Sequence, residues 1–93
     1  MKFEWDEDKS ESNYRKHKVR FEEAQTVFTD NRALEFFDNE HSEEDEERFL
    51  RVGLSLRLNV LVVVYCERNE KNIRIISARK ATSSERKVYE KGI

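Results

Sequence analysis

The sequence contains no proline, only two glycines and a single cysteine in its 93 residues. The lone cysteine, Cys66, excludes a disulfide framework and favours a reducing compartment. Two glycines are too few for the glycine-rich phosphate loops of nucleotide-binding proteins. No apolar run approaches the roughly 18 residues that a membrane span needs, and the N-terminus lacks the apolar middle of a signal peptide. We therefore expect one cytoplasmic domain over residues 1–93.

Charged residues are abundant, but neither sign dominates. Lys and Arg number 18 and Asp and Glu number 20, which gives a net charge of −2. This balance excludes disorder driven by charge repulsion. Residues 1–47 hold 16 acids and 7 bases, however, whereas residues 48–93 hold 4 acids and 11 bases. The asymmetry predicts either pairing between the halves or a basic face for an anionic partner.

Hydrophobic periodicity predicts elements in the order β-α-α-β-β-β-β-α. Strands are expected at residues 2–5, 33–38, 49–56, 60–66 and 73–81, and helices at residues 7–17, 21–28 and 82–92. The last helix opens with the capping-box pattern Thr82-x-x-Glu85. Helices and strands are segregated, which is typical of an α+β fold with a small, mostly antiparallel sheet. Two N-terminal helices and one C-terminal helix would pack on that sheet.

The first predicted helix is unusual because Tyr14 is its only large apolar residue. Lys9, Asn13 and Lys16 recur at helical spacing on one face, and His17 borders them. This stripe suits an anion, and an imidazole can transfer protons near neutral pH. A solvated face, with His17 as a cation that stabilises the helix C-terminus, is the alternative interpretation.

A second constellation is the pattern Asp38-x-x-His41-Ser42. It has the ingredients of a nucleophilic triad but lacks the strained nucleophile turn and the oxyanion donors of hydrolases. We therefore favour a loop-ordering role for it and keep a small hydrolase as a minor hypothesis. His17, His41 and Cys66 do not have metal-ligand spacing, so we expect no metal site and no other cofactor.

Arginines at the end of the last strand and in the last helix form a third constellation. Strand alternation predicts Arg79 beside Ser77, and Arg74 on the opposite face of the sheet. Arg86 falls one turn into the last helix, three residues before Tyr89. Such arginines suit bidentate contacts with phosphate. Pairing with the acidic half of the chain, which would hold the helices on the sheet, is the alternative.

The motifs, taken in order, resemble those of the BrnT toxin family. The opening run has the form E-W-D-x-x-K-x-x-x-N-x-x-K-H, followed by V-x-F-E-E-A-x-x-V-F-x-D. Later come D-x-x-H-S, E-E-R, I-R-I-I-S-A-R-x-A and E-R-x-x-Y-E, so the resemblance runs from Phe3 to about Gly92. The family favours glycine where this chain has Lys18, and often an N-cap serine where it has Arg20. We therefore expect the turn after His17 to differ and the second helix to lose a cap.

The resemblance implies a RelE-like fold and the toxin half of a bacterial type II toxin–antitoxin pair. It also implies a metal-independent endoribonuclease that cleaves RNA and inhibits translation. The implied partner is a BrnA-like ribbon-helix-helix antitoxin in a heterotetramer of two toxins and two antitoxins, which would bind operator DNA only through the antitoxin. An inactive toxin-fold module, serving only as antitoxin partner and co-repressor, is the alternative.

The resemblance assigns roles to residues at matching positions. The implied catalytic residues are His17, Lys16, Arg74, Arg79 and Arg86, and the implied RNA-binding residues are Lys9, Asn13, Trp5 and Tyr89. The two aromatic side chains either stack on bases or serve as packing. We expect the basic first helix and the basic C-terminal half to converge on one RNA-facing surface, with the acidic loop 40–47 elsewhere.

Overall fold

The computed structural model describes residues 1–40, 42, 46–69 and 71–92. Its strands are Lys2–Glu4 (β1), Leu34–Phe37 (β2), Arg48–Leu54 (β3), Val60–Asn69 (β4) and Asn72–Lys80 (β5). Its helices are Glu7–His17 (α1), Phe21–Ala24 (α2) and Ser83–Lys91 (α3), and a 3-10 helix, Gln25–Thr29, continues α2. The predicted α+β class and element order are confirmed, although the second helix changes type halfway. None of the described helices is long and apolar enough to cross a membrane.

The strands form one sheet in the order β1-β5-β4-β3-β2. From β2 to β5 each strand is antiparallel to its neighbour along the chain, so these four strands form a meander, and the predicted mostly antiparallel sheet is confirmed. β1 joins the far side of β5 in parallel, with Phe3 opposite Ile73. The sheet is therefore mixed, mostly antiparallel with one short parallel strand at its edge.

A bulge in β5 changes which side chains share a face. Ile75 and Ser77 pair with consecutive residues of β4, so Ile76 between them is an extra residue. The β4 partners of Arg74, Ser77 and Arg79 are Cys66, Val64 and Val62, which alternate onto one face. The prediction that Arg74 lies on the face opposite Arg79 is therefore wrong, because the extra residue shifts the alternation.

Each face of the sheet has its own apolar cluster. The main core lies under α1 and α2 and consists of Val19, Phe21, Ala24, Val27, Leu61, Val63, Ile75 and Ala78. A smaller cluster lies under α3 and consists of Val52, Val62 and Ala81, with Leu50, Val60 and Tyr89 packed against it. The capping box predicted at the start of α3 is present, with Thr82 and Glu85 each accepting the other's backbone N–H.

Polar residues dock α1, which explains how a helix with so little apolar surface is held. The buried Asn13 side chain donates from Nδ2 to the Ala78 carbonyl (2.8 Å) and accepts the Ala78 N–H on Oδ1 (3.1 Å). Its other Nδ2 hydrogen goes to the Val19 carbonyl (2.8 Å). Asn13 thus replaces a strand partner at the β5 edge beyond β1. Its hydrogen bonds within the protein show an anchoring role for Asn13, and its role as an RNA contact stays a prediction, since Asn13 also lines the depression beside His17.

The turn after α1 keeps a left-handed ending without glycine. Lys18 has φ 60°, and its N–H donates to the Tyr14 carbonyl at 2.8 Å. The expected difference in this turn is therefore not found. Arg20 provides no side-chain cap for α2, as predicted, but the buried Ser10 hydroxyl of α1 accepts the Phe21 N–H at 3.2 Å. A residue of the preceding helix thus bonds one of the free N–H groups at the start of α2.

Candidate functional site

A groove of about 440 Å³ opens on the sheet face that carries α3. Its floor is apolar and is formed by Leu50 of β3 with Val62 and Val64 of β4. Its polar lining comes from the end of α1, the segment after β2, and β5: His17, Asp38, Glu40, Ser77 and Arg79. Residues far apart in the sequence therefore combine an imidazole, carboxylates and a guanidinium in one concave surface.

His17 reaches this groove because α1 is anchored at the sheet edge. It is the last residue of α1, one turn beyond Asn13, and its side chain is exposed. It also lines a neighbouring depression of about 210 Å³ with Lys9, Lys16 and Ser77. The groove and the depression share His17 and Ser77, so the basic face of α1 and the end of β5 converge rather than lying on opposite sides of the molecule.

The segment after β2 is acidic where it enters the groove. Asp38 is buried and Glu40 is exposed, and both line the groove beside His17. The prediction that the acidic loop lies elsewhere is therefore wrong for its first residue, while residues 43–45 lie outside the described part of the chain. A sequence signal for Asp38 existed, since the alternation of Leu34, Phe36 and Asp38 continues onto the groove face.

Arg79 forms one wall of the groove and is already paired. Its two terminal nitrogens donate to the two carboxylate oxygens of Glu85 at 2.7 and 2.9 Å. The guanidinium lowers the pKa of Glu85 to about 2, aided by the Thr82 N–H. The same carboxylate raises the pKa of Arg79 further above its ordinary value. The pair joins β5 to the start of α3, and the Arg79 side chain remains 41% exposed.

The structure does not bring Arg74 or Arg86 to the groove. Arg74 shares the groove face but lies at the other end of β5, where it pairs with Glu4 of β1 at 3.3 Å. Arg86 lines a separate depression with Leu58, Lys80 and other residues of that end of the molecule. Their implied catalytic roles therefore have no geometric support beside His17.

The two aromatic residues assigned to RNA lie in packing positions. The Trp5 ring meets Phe21 edge-on at 6.2 Å between centroids, and its Nε1 donates to Glu7 at 2.9 Å. The Tyr89 hydroxyl donates to Asp30 at 2.6 Å, and its ring packs on the cluster beneath α3. The geometry favours the packing alternative for both.

The possible triad at residues 38–42 is ordered by backbone contacts. The Ser42 hydroxyl donates to the Asp38 carbonyl at 2.7 Å and accepts the Arg48 N–H at 2.9 Å. Such bonds fit the loop-ordering interpretation rather than a poised nucleophile. His41 lies outside the described residues. Among the described residues, His, Cys, Asp and Glu do not form a group of three or more that could hold a metal ion.

Comparison with known proteins identifies the family. The sequence profile of a family described as "Ribonuclease toxin, BrnT, of type II toxin-antitoxin system" matches residues 5–85. The fold is similar to that of the Brucella abortus ribonuclease toxin BrnT, with a TM-score of 0.67 and 25% sequence identity; the match covers 89% of this chain and 99% of that one. No curated protein matches the chain significantly. Because the profile spans most of the chain, including every residue that lines the groove, the chain belongs to the BrnT family of ribonuclease toxins.

Proposed function

We propose that the groove around His17 binds RNA and cleaves its backbone without a metal ion. In this reaction a ribose 2′-oxygen forms a bond to the adjacent phosphorus, and the bond from phosphorus to the 5′-oxygen breaks. The 2′-hydroxyl loses a proton and the leaving 5′-oxygen gains one, so the site needs proton-transfer groups and cations. The convergence of His17, Glu40 and the lysines of α1 on adjoining surfaces supports this function.

His17 is the proposed proton-transfer group. Its imidazole is exposed on the line where the groove meets the lysine-lined depression, so a phosphate held there would lie beside it. An imidazole can both accept and donate a proton at neutral pH. Glu40, the exposed carboxylate of the same groove, is the proposed second member of the acid–base pair. In the sequence Glu40 belongs only to an acidic loop, so this role is inferred from its position in the groove.

The cations divide into two groups. Lys9 and Lys16 lie on the depression that joins the groove, and we assign them contacts with RNA phosphates. Arg79 is partly neutralised by its bidentate pair with Glu85. We therefore propose that Arg79 acts mainly as a positioning residue, which fixes the groove wall and the start of α3. Arg74 and Arg86 are not part of the proposed catalytic set.

Substitution of His17 tests this function. We expect His17→Ala to lower the single-turnover cleavage rate of RNA by about 100-fold or more, because proton transfer contributes about 10²–10⁴-fold. Rates should be measured on free single-stranded RNA and on ribosome-bound mRNA, with EDTA present. Arg15→Ala is the matched control, since Arg15 is an exposed base of the same helix turn that lines neither surface. Loss of wild-type cleavage in EDTA, or a His17→Ala rate equal to that of Arg15→Ala, would contradict the proposal.

A type II toxin has an antitoxin partner. We propose that this partner is a BrnA-like ribbon-helix-helix protein, that the cytoplasmic complex holds two copies of each chain, and that operator DNA contacts the antitoxin alone. Light scattering of the co-expressed complex checks the stoichiometry. The alternative of an inactive binding module has no support from the family match, whose description names a ribonuclease.

A further inference from the structure

The two edges of the sheet differ in what pairs with their backbone groups. At the β5 edge, β1 pairs with residues 72–74 and the Asn13 side chain bonds to Ala78. At the other edge the sheet ends with β2, and within the described part of the chain only β3 pairs with it. The Asp38 N–H donates to the Arg48 carbonyl (2.8 Å), which fixes the alternation of the antiparallel pair. The backbone groups of Glu35 and Phe37 therefore point outward, away from β3.

The β2 edge is short and carries one charged residue, Glu35, but it lacks the stronger devices that prevent pairing with another strand. Its sequence, LEFF, contains no proline and no lysine, and its register with β3 is regular. Phe36 and Phe37 are 46% and 48% exposed and lie on opposite faces of the strand. Aromatic residues are enriched in protein–protein interfaces relative to the rest of a protein surface. An added strand would gain backbone hydrogen bonds and a phenyl ring on each face.

The position of β2 indicates what kind of strand would bind. The strand leads directly to Asp38 and Glu40, which line the groove beside His17. Glu35 lies on the strand itself and is exposed. An extended segment that pairs with this edge would therefore reach the groove. It would pass the carboxylate of Glu35 on the strand and that of Glu40 at the groove. Such a surface is complementary to a segment with alternating apolar residues and with Lys or Arg beside Glu35 and Glu40.

We propose that the antitoxin inhibits this toxin by adding an extended, basic segment to the outer edge of β2, which pairs with no strand in the described part of the chain. Its apolar side chains would cover Phe36 and Phe37, and its basic side chains would pair with Glu35 and Glu40 at the mouth of the groove. Docking at β2 would then block access of RNA to His17. This inference rests on the toxin–antitoxin pairing of the proposed function, and not on the chemistry of cleavage.

The probe for this surface is the purified antitoxin encoded by the reading frame next to the toxin gene. We expect Phe36→Lys to weaken its affinity for the toxin by about tenfold or more, because a charge replaces a central apolar contact. Leu56→Lys is the matched control, since Leu56 is 75% exposed on the β3–β4 loop, and it should change the affinity less than about twofold. Phe36 does not line the groove, so Phe36→Lys should retain wild-type RNA cleavage. Hydrogen exchange on the wild-type complex should show slower exchange at the Glu35 and Phe37 amides.

Several results would overturn the proposal. One is wild-type affinity for Phe36→Lys together with unchanged exchange at Glu35 and Phe37. Another is a concentration-dependent dimer of the toxin alone that Phe36→Lys dissociates, because the edge would then bind a second copy of this chain. If Phe36→Lys fails to fold, exchange at the two wild-type amides decides the matter. A wild-type chain that binds the antitoxin through β2 but does not cleave RNA would contradict the proposed function and leave this inference standing.

Discussion

The Asn13 carboxamide makes two hydrogen bonds to the backbone of Ala78, where a neighbouring strand would otherwise pair. A third hydrogen bond joins it to the Val19 carbonyl. The spacing of Lys9, Asn13 and Lys16 predicts their common helix face correctly, but an exposed stripe and a buried anchor have the same spacing. The distinction depends on Ala78, which is 65 residues away in the chain. Local periodicity therefore predicts that His17 lies beside a basic stripe. Only the tertiary structure shows that Asn13 anchors α1 to the sheet.

Replacing Asn13 tests this anchoring role. Asn13→Ala would leave buried backbone groups at Ala78 and Val19 without partners, and we expect a loss of about 2–4 kcal/mol in the free energy of unfolding. Urea denaturation of the purified toxin measures it. Ser12→Ala, in the neighbouring and less buried position, should cost less than about 1 kcal/mol. Equal stabilities of the two variants would show that the Asn13 bonds do not hold α1 on the sheet.

At the scale of elements, the bulge in β5 matters most for the candidate site. It places Ser77 and Arg79 on the groove face and leaves Ala78 toward the main core. Simple alternation predicted the strand well but assigned Arg74 to the wrong face, because one extra residue inverts every later position. The adjacent isoleucines Ile75 and Ile76 are the trace of the bulge in the sequence. The parallel pairing of β1 had no local signal, since its partner is remote along the chain.

The loop between β3 and β4 contains a strained residue that offers a second test at this scale. Leu58 has φ 65°, a left-handed conformation that is costly for a branched side chain, and it is 78% exposed. Leu58→Gly should therefore raise the free energy of unfolding by about 0.5–1 kcal/mol, because it removes that cost and loses little burial. Leu56→Gly is the control in the same loop, at a residue without positive φ, and should lower stability. Thermal unfolding of both variants distinguishes relief of strain from a general effect of glycine.

The whole molecule shows why its net charge of −2 says little about its surfaces. The pairing of Arg74 with Glu4 joins the basic and acidic halves, which is one interpretation of the charge asymmetry. The other interpretation is a basic face for an anionic partner, and the depression lined by Lys9 and Lys16 is such a surface. Both lysines belong to residues 1–47, the half of the chain with an excess of acids. Composition predicted that one of these exists but not where, since position depends on how β5 and α1 meet. It also did not predict that Glu40 lies with His17 and Arg79 in the adjoining groove.

Salt dependence of RNA binding follows from this distribution. Each phosphate contact to single-stranded RNA contributes a slope of about −0.7 when the logarithm of the binding constant is plotted against that of the salt concentration. In the slowly cleaving His17→Ala background, replacing Lys9 and Lys16 with glutamine should make the slope shallower by about 1.4. The matched control replaces Lys87 and Lys91, exposed lysines of α3 that line neither surface, and should leave the slope unchanged. Equal slopes for both double variants would mean that the RNA does not contact Lys9 and Lys16, because the loss of two phosphate contacts must make the slope shallower.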